Sequence, residues 1–231
     1  HTETGRRYRF SAILEEFRTT IQHELNYERE AQNLVTVGEN LREFDLIQVP
    51  QPVADYSTRT ILTMDYVRGR KITSLGPLAR LEMGKAPLID QLFKAYLKQV
   101  LIDGIFHADP HPGNVFLTDD GRIALLDLGM VGHTAPGMQE NLLKLLLMVS
   151  EGRSEEAAEL VITISEKLEV FDPADFRRAV RQLVIQAHVH GLQHMKIGQA
   201  LISLSRDASQ SGLVVPSELT LLGKTLLQLD E

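Results

Sequence analysis

The chain has neither cysteine nor tryptophan. Without thiols there is no disulfide, no thiolate zinc site and no cysteine nucleophile, a composition that fits a reducing compartment. Positive charge is also scarce: 24 Lys and Arg stand against 31 Asp and Glu, for a formal net charge of −7. That balance lacks the footprint of a general nucleic-acid binder. An anionic ligand would have to be held by a metal, a helix N-terminus or a few placed cations. Long apolar runs are missing too. The longest, Leu142 to Val149, is broken by Lys144, and a membrane helix needs roughly 18 apolar residues, so no transmembrane segment is expected. The opening His1-Thr2-Glu3-Thr4-Gly5-Arg6-Arg7 has no apolar stretch of the kind a signal peptide carries.

What is present is ordinary globular composition, 231 residues with 43% apolar and 24% charged, enough for one large domain or two small lobes. Ile13, Leu14, Phe17, Ile21, Leu25, Ala31 and Leu34 recur at helical spacing and predict a long first helix, loosening at Gly38. Val49 to Val53, held extended by Pro50 and Pro52, and the β-rich Thr60 to Val67 predict a hairpin turning at Ser57-Thr58-Arg59. Arg68-Gly69-Arg70 and Gly76-Pro77 read as connectors. Ile89, Leu92, Phe93, Tyr96, Leu97, Val100 and Leu101 form an amphipathic helix that Gly104 is placed to end. Asn114 to Leu117 and Ile123 to Leu126, separated by Asp119-Asp120-Gly121, predict a second hairpin. After Pro136 the pattern is helical: about 138–150, 154–168, 173–191 with Asp172 as cap and Pro173 at the first position, 195–209, and from Pro216 onward. The expected fold class is α+β, with a small lobe over 1–66 (a helix and short antiparallel strands) and a larger, mostly helical lobe over 67–231.

Chemistry concentrates in Phe106-His107-Ala108-Asp109-Pro110-His111-Pro112-Gly113-Asn114 and in Asp127-Leu128-Gly129. The two prolines and the glycine make the first stretch a rigid loop. Asp109, Asn114 and Asp127 supply oxygen ligands suited to a hard cation such as Mg²⁺, and a hairpin over 115–126 would return Asp127 beside Asn114. Taken alone, Asp109 would read as a turn cap before Pro110. With Asn114 and Asp127 at this spacing, a metal-nucleotide site is the better reading. His107, Asp109 and His111 as a transition-metal cluster is a minority alternative, and His107 reads best as a structural brace of the loop.

His-x-Asp-x-x-x-x-Asn followed by Asp-x-Gly is the loop pair of protein-kinase-like phosphotransferases, and the wording from Phe106 to Asn114 closely resembles that of the UbiB/AarF (ADCK-like) family of atypical kinases. Glu24-Leu25-Asn26-Tyr27-Glu28-Arg29-Glu30-Ala31, with Asn33, resembles that family's signature helix. Leu62 to Gly69 resembles its hinge, and Pro216 to Lys224 its C-terminal helix. The resemblance implies a protein-kinase-like fold, ATP or ADP with Mg²⁺ as cofactors, and a role in ubiquinone (isoprenoid quinone) biosynthesis. It makes Asp109 the catalytic-loop aspartate, Asn114 and Asp127 the Mg²⁺ ligands, and Glu30 the αC-type glutamate that pairs with a strand lysine. The hinge match puts Met64 and Tyr66 at the nucleotide, and Glu24, Asn26 and His107 are family-motif positions. Asn26 departs from the pattern, since the family carries aspartate there, and Leu128 replaces a kinase phenylalanine.

The family's Lys-x-Gly-Gln helix, its Ala-rich nucleotide loop and its strand lysine are not found in Thr2 to Phe10. The expectation is therefore the C-terminal part of a kinase-like domain, with weak or no phosphoryl transfer by this chain alone. Lys196-Ile197-Gly198-Gln199 spells the helix motif in the wrong place, and Gly223-Lys224-Thr225 lacks the first glycine of a P-loop because residue 218 is Glu218. His188, His190 and His194 read as surface residues. Glu24 and Glu30 lie about 240° apart around a helix and cannot serve one partner. Two other readings stay open: a catalytically weak nucleotide-binding or scaffold pseudokinase module, and an aminoglycoside- or choline-kinase-like phosphotransferase, against which the Pro-His-Pro-Gly wording argues. The implied partners are a nucleotide and a lipid or quinone-pathway proteins. The implied location is cytoplasmic or peripheral membrane, on the bacterial cytoplasmic face or in a mitochondrion or plastid.

Overall fold

The computed structural model describes residues 26–76, 87–190 and 197–229, with side chains throughout except at 188–190 and 197. Glu24, the helix expected before Asn26, Pro77, His194, Lys196 and the side chains of His188 and His190 lie outside what is described.

Helix α1 (Tyr27–Asn40) buries Glu30, Asn33, Leu34 and Val37. That is one stripe at i, i+3, i+4 and i+7, so two polar residues begin the same face that two apolar ones continue. The helix does not loosen at Gly38. A Cβ there would sit 2.4 Å from the Gln51 amide nitrogen, so the glycine admits that side chain against the helix.

The apolar part of the stripe meets a four-stranded sheet of order β1-β5-β4-β2, made of β1 (Ile47–Gln48), β2 (Gly69–Lys71), β4 (Val115–Thr118) and β5 (Ile123–Leu125). Strand β1 runs parallel to β5, and the other pairs are antiparallel. The hairpin expected over 115–126 is present with its turn at residues 119–121. The earlier one is thinner than expected. Only isolated bridges join Pro52 to Met64 and Thr58 to Ile61, backed by the Val53 N–H to Thr63 carbonyl bond of 2.8 Å. Pro50 and Pro52 offer no N–H to extend that ladder. Arg68-Gly69-Arg70 is not a plain connector, because Gly69–Lys71 is the edge strand of the sheet. A Cβ at Gly69 would stand 2.4 Å from the Leu117 carbonyl oxygen, a close approach that glycine alone permits.

Helix α2 (Pro87–Lys98) passes into a π-turn over Gln99–Asp103 and stops at Gly104, whose φ of 70° is left-handed. This is the expected terminator acting through its backbone freedom. Strand β3 (Ile105–His107) then pairs with β6 (Val131–His133). The helical part follows: α3 (Pro136–Ser150), α4 (Ser154–Ile164), α5 (Pro173–His190), α6 (Ile197–Gln210) and α7 (Ser217–Leu229). The Asp172 carboxylate accepts the N–H groups of Ala174 and Asp175 at 3.0 and 3.1 Å, the cap read from sequence. Helix α4 ends at Ile164, short of the expected 168, because β7 (Glu166–Lys167) leaves it to pair with β8 (Leu213–Val214).

Three buried clusters hold the molecule together. One joins Leu34 and Val37 to Ile123, Leu125 and Leu128; one lies among α4, α5 and α6; one joins Val100 and Phe106 to Leu142, Leu222 and Leu226. The fold is mixed α+β. Gly69→Ala should cost about 1–3 kcal/mol through overpacking, read as a lower urea midpoint with an unchanged m-value. An unaltered midpoint would show that β2 is not held in this register.

Candidate active site

Two small ladders set the site. Strand β3 feeds the loop 108–114 into β4, and β5 feeds the loop 126–130 into β6. Because β3 pairs with β6 and β4 with β5, the two loops face each other and are tied at both ends. The Ala108 N–H donates to the Met130 carbonyl at 3.0 Å, and the Leu126 N–H to the Asn114 carbonyl at 2.8 Å. Asn114 is thereby placed beside Asp127, and its side-chain amide donates to an Asp127 carboxylate oxygen at 3.4 Å.

Asp127 has a φ of 58°, the one positive value among described non-glycine residues. Aspartate tolerates this region better than most residues, and such strain clusters at functional sites. Its other carboxylate oxygen accepts the Gly129 N–H at 3.3 Å. Between the two, the Leu128 peptide is gripped from α1. Its carbonyl accepts the Asn33 amide at 2.7 Å, while the Leu128 side chain is fully buried in the core. Glu30 is 8% exposed. Burial and then the Asp127 charge raise its pKa, and the Leu128 N–H opposes them. Among the described residues no cation bridges Glu30.

Asp109 is held from the far end of the chain. The Gln228 side-chain amide on α7 donates to its carboxylate at 2.8 Å, and the Thr225 hydroxyl donates to the Ala108 carbonyl at 3.1 Å. Sequence reading missed both, since partners well over a hundred positions apart leave no spacing signal. His107 is fully buried, its N–H donating to Gln99 Oε1 at 3.1 Å. Burial pushes the imidazole down to about 4, against the opposing pull of the Met130 carbonyl and of Asp127 and Asp109. The ring is neutral, and neither of its nitrogens has a hydrogen-bond partner among the described residues.

Glu30, Asp109, Asp127 and Met64 share the wall of one cleft of about 950 Å³, with Ile61, Leu62 and Met130 as its apolar part. Tyr66 is not on that wall; it is 86% exposed. Asn26 sits at the start of α1, its carbonyl accepting the Arg29 and Glu30 N–H groups and its side-chain oxygen buried without a partner among the described residues. No group of three His, Asp or Glu side chains among the described residues forms a metal cluster. One carboxylate and one carboxamide nevertheless suit Mg²⁺, which is commonly bound by one or two protein carboxylates plus substrate phosphates. The donors present fit that ion.

A helix glutamate, an aspartate-bearing loop and an Asp-x-Gly loop converging on one cleft define a protein-kinase-like fold. A family model described as "ABC1 atypical kinase-like domain" matches residues 2–161, and this chain belongs to that family. A protein of Synechocystis sp. described as uncharacterized is 30% identical over 99% of this chain and 59% of its own length. The Arabidopsis thaliana chloroplastic protein "ACTIVITY OF BC1 COMPLEX KINASE 8" is 32% identical over 72% of this chain and 22% of its own. A "probable protein kinase UbiB" of Marinobacter nauticus is 28% identical over 98% of this chain and 42% of its own. The chain thus spans well under two thirds of these relatives. Among solved structures, Rv3197 of Mycobacterium tuberculosis, determined with erythromycin, superposes with a TM-score of 0.60 at 20% identity, over 94% of this chain and 57% of that one; the likeness is one of fold. No helix among the described residues is long and apolar enough to cross a membrane.

The depressed histidine gives a pH test. Between pH 6.5 and about 4 the unfolded chain takes up a proton that folded His107 refuses, so this group's contribution to stability falls as pH falls. The loss reaches about 3 kcal/mol at the acid end. Urea denaturation across that window should show the slope in the wild type and its absence in His107→Gln. Parallel curves would mean that His107 is not held neutral.

Proposed function

We propose that the cleft binds a nucleoside triphosphate together with Mg²⁺, and that the protein uses it as an atypical kinase or ATPase in isoprenoid-quinone (ubiquinone) metabolism. The observation that carries this reading is the meeting of Asp109, Asp127 and Glu30 on the wall of one cleft, with Asn114 bonded to Asp127 from behind that wall. Asp127 and Asn114 would hold the cation, whose chemistry when bound is to neutralise phosphate charge. Asp109, fixed by Gln228, orients an acceptor hydroxyl or water and takes its proton as the new bond forms. Met64 and the neighbouring apolar wall exclude water from the base. The acceptor is a protein, a lipid-like molecule or water, and quinone-pathway proteins are the partners of choice. The site asks nothing of a membrane span, so it works equally well in the cytoplasm or at a membrane face.

The Asn26 position, with its buried side-chain oxygen without a partner among the described residues, favours one second reading, a nucleotide-binding module without turnover. Thermal-shift titration tests both. ATP and Mg²⁺ together should stabilise the wild type, either alone should do little, and Asp127→Asn should abolish the joint effect. Asp109→Asn should keep that stabilisation and lose ATP turnover. Joint stabilisation with no turnover in the wild type would select the second reading, and no Mg²⁺-dependent shift would contradict both.

A further inference from the structure

Separate from the cleft, α2 through α7 line a partly open apolar pocket of about 120 Å³. It belongs to neither loop of the site described above. Its wall is hydrocarbon: Leu97 from α2, Leu145 from α3, Val184 from α5, Leu201 from α6, and Leu222 and Leu226 from α7 all face it. No charged side chain lines it. Among its lining residues only Tyr96 carries a polar side-chain atom. That hydroxyl is buried without a partner among the described residues, and burial followed by the Asp109 charge holds it protonated.

A water molecule in such a space would need two to four polar partners, and the wall does not supply them. Apolar cavities of about this size stay dry and accept a small hydrocarbon, since an engineered example of about 150 Å³ takes benzene. The lining atoms regain with an occupant the dispersion contacts that a void forfeits. Position adds a second consequence. Leu222 and Leu226 present one face of α7 to the cavity, while Thr225 and Gln228 on the same helix hold Ala108 and Asp109. Any adjustment of α7 to an occupant moves the two donors that fix the catalytic loop.

We propose that this cavity is a binding site for a small uncharged apolar molecule of about benzene size, and that its occupancy is transmitted to the Asp109 loop through α7. The binding claim is independent of the nucleotide reading.

The test is a benzene titration of the full chain, followed by amide NMR. Saturable shifts are expected at Leu97, Val184 and Leu201, with the Gln228 side-chain amide moving on the same curve. Ala200→Leu, which builds a side chain into the space from α6, should weaken the affinity at least tenfold. Val161→Leu narrows it from α4 and serves if the first variant does not fold. Absence of a saturable response in the wild type, or equal affinity in the filled variants, overturns the site. Saturable binding with a stationary Gln228 amide overturns the coupling.

Discussion

The grip of α1 on the Leu128 peptide is the constraint from which the rest of the site follows. The Leu128 carbonyl is taken by Asn33, and the Leu128 side chain is sealed in the core. Asp127, immediately before it, is thereby kept at an unfavourable backbone angle with its carboxylate turned to Asn114. Glu30, on the same face of α1, is buried beside Asp127, and burial followed by that charge raises its pKa. The helix whose apolar face packs on the sheet and the loop that bears Asp127 are therefore one mechanical unit.

A second unit works from the opposite side. Helix α7 packs its leucines into the helical lobe and spends Thr225 and Gln228 on the loop of Asp109. Asp127 and Asp109 are thus positioned by elements from opposite ends of the described chain. Neither loop has much freedom of its own, because backbone bonds at Ala108 and Leu126 close the pair at both ends.

Much of this was legible in the sequence where the signal is local. The hairpin over 115–126, the stop at Gly104 and the Asp172–Pro173 start all rest on residues within a few positions of one another, and the structure has them. The catalytic wording was dense enough to point to the family. What escaped was set by distance or close approach. Gly69 reads as a linker until the Leu117 carbonyl is seen against it, and the end of α4 depends on a strand some fifty residues later. The hairpin beside Met64 was overdrawn because two prolines that extend a chain also deprive it of donors. Tyr66, grouped with Met64 by motif, lies outside the cleft, where the chain after Met64 leaves the wall without forming a strand.

The most direct measurement is the affinity for Mg²⁺-ATP, by calorimetry, of the wild type against Asn33→Ala. Asn33 is not on the cleft wall, yet removal of its amide frees the Leu128 carbonyl and loosens Asp127. The account predicts a Mg²⁺-dependent affinity lower by about tenfold, or about 1.4 kcal/mol, in a variant that remains folded. An unchanged affinity in the folded variant would contradict the claim that the grip of α1 on Leu128 positions the metal-binding loop.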